Sequence, residues 1–554
     1  MTLRVRWLGR VPYREALDLQ HALFESAASD HLLLLEHPPV YTLGVRAATE
    51  HVLTPPASVG ADLVRVDRGG DVTYHGPGQL VGYPILTLPG KRGAVTGMAD
   101  TVAYVASVEQ LLIDALAELG VSNAGRLRRY PGVWLDVDTE TPRKIAAIGV
   151  RLSRGRSMHG FALNVTTDLS MFGHIVPCGI ADMGVTSLAA EGVAVDMATV
   201  VDVVSRLAVD RWGAQGWERQ DVAWRERPED LSLFSRGHGA GEPVRMTGRL
   251  AQAGVTEGLQ IEARKPEWLR AHVKHDRSVL GLRHTMRELG LTTVCEEAGC
   301  PNLSECWADG TATFMINGAS CTRACGFCLV DTSHPVALDS GEPQRVAEAV
   351  RRMGVAHAVV TAVARDDLDD GGASAFVATI GAIRAQTPGV AVEVLIPDCK
   401  GDRNALEAIF AARPDVLNHN VETVPRLQRA VRPSAGYARS LALLARAKAS
   451  GLVTKSGIIV GMGETDDEVV DTLADLRAVD VDIVTIGQYL RPTTHHLPVA
   501  RWVPPASFER FRREGEELGI AHVEASPLTR SSYHARASAA AAQAFAAPGR
   551  TVSA

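Results

Sequence analysis

The stretch Cys321-Thr322-Arg323-Ala324-Cys325-Gly326-Phe327-Cys328 puts three cysteines at CxxxCxxC spacing in one short loop. A loop this tight can set three thiolates on the corners of one iron–sulfur cluster. A four-iron cube held by three thiolates leaves one iron open, and an open iron can chelate a substrate. Radical chemistry with S-adenosylmethionine needs that arrangement, because the sulfonium must sit beside a reducible cluster. A structural zinc site is the competing reading. Zinc normally takes four closed ligands, commonly as paired CxxC units, so the spacing favours a cluster.

A second triad, Cys295, Cys300 and Cys306, lies just upstream at CxxxxCxxxxxC spacing, so one segment holds six of the eight cysteines. Three disulfides are the alternative. The start, Met1-Thr2-Leu3-Arg4-Val5, lacks the apolar core of a secretory signal, and cysteines elsewhere are sparse. Two clusters in a reducing cytoplasm are expected instead, the second taking a fourth ligand from elsewhere. A chain of 554 residues exceeds one core, so two or more domains are expected. The net charge of −7 points neither to nucleic acid nor to an anionic membrane surface. No apolar run approaches the roughly 20 residues of a membrane span.

Residues 1–217 read as one α/β domain. The run 32–37, Leu-Leu-Leu-Leu-Glu-His before two prolines, reads as a buried strand. Residues 99–119 have helical periodicity and stop at Gly120. Strands are expected at 133–135, 144–150 and 160–165, with a closing helix over 195–211. Periodicity fades over 218–258, and Ser235 to Pro243 is rich in turn formers, so this stretch reads as a flexible linker. Over 259–554, β-rich runs at 314–317, 358–363, 392–396, 416–419, 454–460 and 483–488 alternate with helical patterns at 345–353, 440–449 and 466–476. Repeated βα units mean parallel strands. Six units are too few for an eightfold barrel, so an open, partial one is expected. Its chemistry should gather at the C-terminal strand ends, where the CxxxCxxC loop falls.

In the first domain Cys178 stands alone in Pro177-Cys178-Gly179. A lone cysteine is commonly a small buried hydrophobe, but flanking Pro and Gly argue for a loop. Lys144 opens the apolar strand 145–150; alone it reads as a solvated strand end. An ammonium near a thiol lowers the thiol pKa, and the thiolate can then take an acyl group from a thioester and pass it on. Arg68-Gly69-Gly70-Asp71-Val72-Thr73-Tyr74-His75 opens a glycine-rich stretch without the GxxxxGK[ST] form of a phosphate loop. Its glycines let backbone approach an acyl chain. His75 reads equally as a proton shuttle or as a hydrogen-bonded structural residue.

Two resemblances rest on these motifs. Residues 5 to about 215 resemble lipoyl(octanoyl) transferase, of the fold shared by biotin and lipoate protein ligases. The glycine-rich stretch through Leu80, the lysine strand with Ile148-Gly149, the run His159-Gly160-Phe161-Ala162-Leu163-Asn164 and the Pro-Cys-Gly turn carry it. Residues from about 264 to 535 resemble lipoyl synthase, a radical S-adenosylmethionine enzyme. Cys295-Glu296-Glu297-Ala298-Gly299-Cys300-Pro301-Asn302, the CxxxCxxC loop and Arg530-Ser531-Ser532-Tyr533 carry that one.

The resemblances imply an N-terminal α+β ligase-like domain and a C-terminal partial (β/α)6 barrel. They imply Cys178 as acyl-thioester nucleophile and Lys144 as its activator. Arg68, Gly69, Gly70, Asp71, Val72, Thr73, Tyr74, His75, Ala147, Ile148, Gly149, Gly160, Phe161 and Ala162 would line the acyl pocket. Cys321, Cys325 and Cys328 would hold the 4Fe–4S cluster that reduces S-adenosylmethionine; Cys295, Cys300, Cys306 and Ser532 would hold an auxiliary, sulfur-donating 4Fe–4S cluster. Serine oxygen is a harder ligand than thiolate, which suits a corner that must come apart. The implied activities are octanoyl transfer from octanoyl-acyl carrier protein to a lysine of a lipoyl carrier, then sulfur insertion at carbons 6 and 8. Implied partners are the lipoyl domains of 2-oxoacid dehydrogenase E2 subunits, the glycine cleavage H protein and an electron donor. Residues 361–368 follow a strand and read as a cosubstrate contact or as an exposed acidic loop. Cys399 stands where the family usually has an aromatic residue and belongs to neither triad. Competing readings are another radical enzyme, such as a methylthiotransferase or biotin synthase, an ATP-dependent ligase for the first domain, and a non-catalytic metal scaffold.

Overall fold

The structure, a computed structural model, describes the chain apart from residues 27–28, 91–98, 129, 178–183, 223–247, 257, 259–263, 271–283, 292–301, 309 and 547–554. Most of the expected linker lies outside the described residues. The chain divides into two compact units, Met1–Trp224 and Arg225–Ala554. Among the described residues no helix is long and apolar enough to cross a membrane.

The first unit is built on a mixed nine-stranded sheet. Strand Leu3–Arg10 lies parallel to Asp30–Glu36, and Gln79–Ile85, Arg156–Asn164, Arg143–Ser153 and Tyr130–Leu135 follow in antiparallel order. The expected strands form, and Asp30–Glu36 buries Leu32 and Leu34 against the helix Thr101–Glu118. Asp100 caps that helix by accepting from Val102 and Ala103 N–H at 3.1 Å. Gly120 ends it with a φ of +96°. A separate three-stranded sheet joins Asp62–Arg65, Val40–Leu43 and Val72–His75.

The expected closing helix forms as Met197–Trp212, but it does not close the unit. Strand Trp217–Asp221 follows and pairs in parallel with Leu3–Arg10. Its sequence, Trp-Glu-Arg-Gln-Asp, has no apolar alternation. Ion pairs hold this edge instead: Glu218 meets Arg4 at 2.9 Å and the buried Arg6 at 2.5 Å. The sheet therefore runs past residue 217, into the stretch expected to be linker.

The second unit carries a wholly parallel seven-stranded sheet in chain order: Thr311–Ile316, His357–Ala362, Ala391–Leu395, Val416–Asn418, Val453–Val460, Ile483–Gln488 and His522–Ala525. All six expected strands are present, and the seventh adds a rung. Among the described residues no ladder joins the two edge strands. Phe314, Val346, Val350, Phe376, Ile380 and Leu406 belong to the core between strands and outer helices. At the opposite end from the cysteine loop, the helix Ala535–Ala546 packs Ala539 and Ala542 against Val416 and Ile483, residues that begin their strands. Above that floor Glu393 receives Lys455 at 2.9 Å and His357 at 3.3 Å, all three fully buried. Burial opposes ionisation of the Glu393 carboxyl, yet Lys455 and the hydrogen bond from His357 hold it below its ordinary value.

Candidate functional site

In the first unit Lys144 lies at the start of strand Arg143–Ser153, with its ammonium 4.6 Å from the centre of the Trp134 ring. Only 8% of Lys144 is exposed. It lines a small cavity with Thr73, Gln79, Ala147, Ala162, Asn164 and Pro177. Pro177 directly precedes Cys178, which lies outside the described residues. Val185 pairs with Lys144 in parallel register, and Thr186 N–H donates to the Lys144 carbonyl at 2.9 Å. The chain on both sides of Cys178 thus returns to the lysine.

The glycine-rich stretch splits between several roles. Strand Val72–His75 alternates: Thr73 reaches the cavity, while Val72 and Tyr74 join an apolar cluster with Phe172 and Ile175. Asp71 accepts from His51 at 2.7 Å. Arg68 is buried and donates to Thr42 Oγ1 and to the Thr42 carbonyl at 2.8 and 2.7 Å. Gly69 N–H donates to Val150 O at 3.1 Å, and a Cβ on Gly149 would sit 3.1 Å from Gly69 O, so these glycines admit loop to strand. Gly70 holds a φ of +94°. His75 contacts Gln79 Oε1 at 2.8 Å and Thr42 Oγ1 at 3.5 Å. Burial, then the neighbouring His37 and Arg68, push its pKa well below the ordinary histidine value. Of the implied pocket residues on the neighbouring strands, Ala147 and Ala162 reach the cavity. Ile148 packs against the main core, and Phe161 lies within it. Gly160 sits where a Cβ would come within 2.1 Å of Gly82 O.

In the second unit Cys321, Cys325 and Cys328 line one cavity of about 400 Å³. Its wall includes Met315, Thr361, Leu395, Ile458 and Gln488, from the C-terminal halves of five strands. The loop is held from several sides. Thr322 Oγ1 donates to Ala364 O at 2.9 Å, Gly326 N–H donates to Val431 O at 2.9 Å, and Leu497 N–H donates to Gly326 O at 2.9 Å. Arg323 makes a two-pronged contact with Asp366 at 2.8 Å and also reaches the buried Asp398. Thr361 to Ala364 line the cavity, while Asp366 and Asp367 are taken up by Arg323 and Arg365. All three sulfurs line that one cavity, and three thiolates could take three corners of a cluster, although among the described residues they form no ready-made group of metal ligands. Burial pushes the Cys325 thiol up to about 11 and the Cys328 thiol to about 12, so iron binding at neutral pH must expel protons. Cys399 lies in the core away from this wall, its thiol raised to about 12 by burial.

Of the second triad, Cys306 is described and Cys295 and Cys300 lie outside the described residues. Cys306 is buried on the short helix Leu303–Ala308, close enough to Tyr533 to interact with it electrostatically. The segment Thr529-Arg530-Ser531 forms part of the same 400 Å³ cavity, so the residues leading to Ser532 and the CxxxCxxC cysteines share one space. Residues not singled out from sequence also line it. Glu422 is one; burial raises its carboxyl against the opposing pull of Arg432.

A glycine admits the serine segment. A Cβ on Gly487 would lie 2.0 Å from Thr529 O, which real Cβ atoms do not tolerate. Gly487→Ala should therefore push the Thr529–Ser531 backbone out of place. A displacement near 1 Å costs about a hundredfold in a positioned reaction, so a loss of that order is expected in the implied sulfur insertion, with faster release of iron from the site that Ser532 would close. Gly381→Ala, on a helix where an added Cβ meets nothing, should leave the reaction intact and add about 0.5–1 kcal/mol of stability by denaturant titration.

Comparison with known proteins bears on both units. A lipoyl protein ligase A/B catalytic domain model matches residues 12–207, and a radical SAM superfamily model matches residues 316–476. Lipoyl synthase of Rubrobacter xylanophilus is 58% identical over 273 residues, covering 49% of this chain and 85% of that protein. Lipoyl synthase of Symbiobacterium thermophilum is 56% identical over 275 residues, covering 49% and 86%. Among solved structures, a bipartite lipoate protein ligase from Thermoplasma acidophilum has 19% identity, 42% of this chain and 91% of that chain covered, and a TM-score of 0.34. At the identity and coverage of the two synthases, the chain belongs to the lipoyl synthase family through its C-terminal half, which here follows a lipoyl protein ligase A/B catalytic domain.

Proposed function

We propose that the chain performs two consecutive steps of protein lipoylation. The first unit moves octanoyl from octanoyl-acyl carrier protein, through a thioester on Cys178, to a lysine of a lipoyl carrier. Carriers of this kind are the lipoyl domains of 2-oxoacid dehydrogenase E2 subunits and the glycine cleavage H protein. The second unit inserts sulfur at carbons 6 and 8 of the bound octanoyl group. The observation that carries this reading is the single cavity shared by the CxxxCxxC cysteines and the Thr529–Ser531 segment. An acyl chain lying there would face both candidate cluster sites.

When bound, a cluster on Cys321, Cys325 and Cys328 supplies the electron that splits S-adenosylmethionine, and a second on Cys295, Cys300, Cys306 and Ser532 supplies sulfur. Arg323, tied to Asp366 and Asp398, keeps the cysteine loop on the cavity wall. Apolar wall residues such as Met315, Phe327 and Ile458 exclude water that would quench a carbon radical. In the first unit Lys144 favours the Cys178 thiolate, and the alanines at 147 and 162 leave room for an alkyl chain. Residues 218–258, taken as a tether, would keep the second site at high local concentration for a newly loaded carrier. The reducing cytoplasm that supplies an electron donor suits both clusters.

The test uses the full chain, reconstituted anaerobically with iron and sulfide, plus apo lipoyl domain, S-adenosylmethionine and dithionite. With octanoyl-acyl carrier protein, mass spectrometry of the lipoyl domain should show octanoyl, then lipoyl. Free octanoate with ATP should give neither. Transfer from octanoate and ATP would replace the transferase reading by a ligase one.

A further inference from the structure

The short helix that carries Cys306 and the turn that carries Ser532 are more than 200 positions apart in sequence, and side chains of no assigned role hold them together. Asn302, 5% exposed, donates from Nδ2 to Leu528 O at 2.6 Å. One turn along the helix, Glu305 accepts from the Tyr533 hydroxyl at 3.2 Å and lies 3.7 Å from His534 Nε2. The other nitrogen of His534 reaches Glu524, on the last strand of the sheet, at 3.4 Å. The Tyr533 and His534 rings stack at 3.8 Å, and His534 holds a φ of +50°. Trp307 anchors the helix in the core on its other side. These contacts bracket both candidate ligands, Asn302 and Glu305 before Cys306, and Leu528 and Tyr533 on either side of Ser532.

We propose that Asn302, Glu305, Tyr533 and His534 form a clasp that fixes the Ser532 turn against the Cys306 helix, and so sets how readily the serine corner of the auxiliary cluster opens. They are positioning residues and touch no substrate. The proposal rests on the reading of Cys306 and Ser532 as ligands of that cluster. A serine corner is a weak one, so the protein rather than the iron–oxygen bond must hold the turn in place. The inner contact, from buried Asn302 to a backbone carbonyl, is costly to break. The outer contacts to Glu305 are solvated and individually weak. Such a clasp would hold the Ser532 turn from within and leave its outer edge, next to Tyr533, the easier one to part.

The test compares the reconstituted full chain with Tyr533→Phe, which keeps the ring stack and loses only the hydroxyl, and with the Glu305→Gln/Tyr533→Phe pair. The readouts are the rate of iron release to a chelator, the Mössbauer signature of the auxiliary site, and lipoyl formed per 5′-deoxyadenosine. The double variant should release auxiliary-site iron about tenfold faster and form several-fold less lipoyl per 5′-deoxyadenosine, with 5′-deoxyadenosine formation as the internal control. Wild-type iron release and product ratio in the double variant would overturn the clasp. Equal losses at both cluster sites together with a lowered Tm would also overturn it, by showing a merely structural role. Ser532→Ala and Cys306→Ala separate the two levels of the argument. If those variants keep a wild-type auxiliary signature, the ligand reading itself fails; if they lose it while the clasp variants do not, the clasp alone fails.

Discussion

Replacing Cys321, Cys325 and Cys328 together by alanine is expected to abolish S-adenosylmethionine cleavage while leaving about four of about eight irons bound after anaerobic reconstitution. The three thiols line one cavity, and no other cysteine in the described residues lines it. Cys399, which belongs to neither triad, is packed in the core beside Gly371 and is not among the residues that line this cavity. Loss should therefore be complete. The reciprocal variant, with Cys295, Cys300 and Cys306 replaced, should also retain about four irons, and should still form 5′-deoxyadenosine but no lipoyl product. Iron analysis, 5′-deoxyadenosine chromatography and mass spectrometry of the carrier read these outcomes. Lipoyl formation by the reciprocal variant would mean the sulfur comes from elsewhere. Cleavage of S-adenosylmethionine by the first variant would remove the cluster assignment altogether.

The cysteine spacing and the βα alternation announced the second unit because both are local signals. Each of the six expected strands is rich in apolar or β-branched residues and largely buried on both faces as parallel strands are, with Glu393, Asn418 and Lys455 among the buried polar exceptions. The seventh, His522–Ala525, is an edge strand of four residues with a single buried one, Val523, so its pattern carries little period. The helix Ala535–Ala546 fails as a signal for a different reason. Its alanines are apolar too weakly to stand out, yet Ala539 and Ala542 are small enough to seal the floor of the sheet. In the first unit, Trp217–Asp221 is held by Glu218 between Arg4 and Arg6, a contact across more than 200 positions that no local pattern announces. The glycine-rich motif does not say which side chains face the cavity beside Lys144. Period-two alternation in Val72–His75 sends Thr73 to the cavity and Tyr74 to the apolar cluster, and the motif is silent on that choice. The clasp was invisible for the reason that applies to Glu422: its parts meet only when strand ends and a terminal turn are brought to one place.

Cys178→Ser is expected to remove octanoyl transfer by at least about three orders of magnitude, and to remove any octanoyl adduct on the chain. The thiolate would attack the thioester carbonyl of octanoyl-acyl carrier protein, and the carrier's thiolate would leave. The lysine amine of the lipoyl carrier would then attack the enzyme-bound thioester, with Cys178 leaving as thiolate and the amine proton passing to base. A serine hydroxyl enters this sequence too weakly and leaves it too poorly, because its pKa lies far above that of a thiol. Lys144→Ala should act more gently. The ammonium is nearly buried beside Trp134, where its field is poorly screened, and Pro177, the residue before Cys178, lines the same cavity. Without it the Cys178 thiol pKa should rise and the thiolate fraction at neutral pH should fall. The rate of iodoacetamide alkylation of Cys178 against pH measures that shift directly, and the rate of adduct formation should fall in parallel. An unchanged alkylation profile in Lys144→Ala would show that the lysine acts on the incoming acyl or amine group and not on the thiol. An octanoyl adduct mapped to any other residue would remove Cys178 from the reaction.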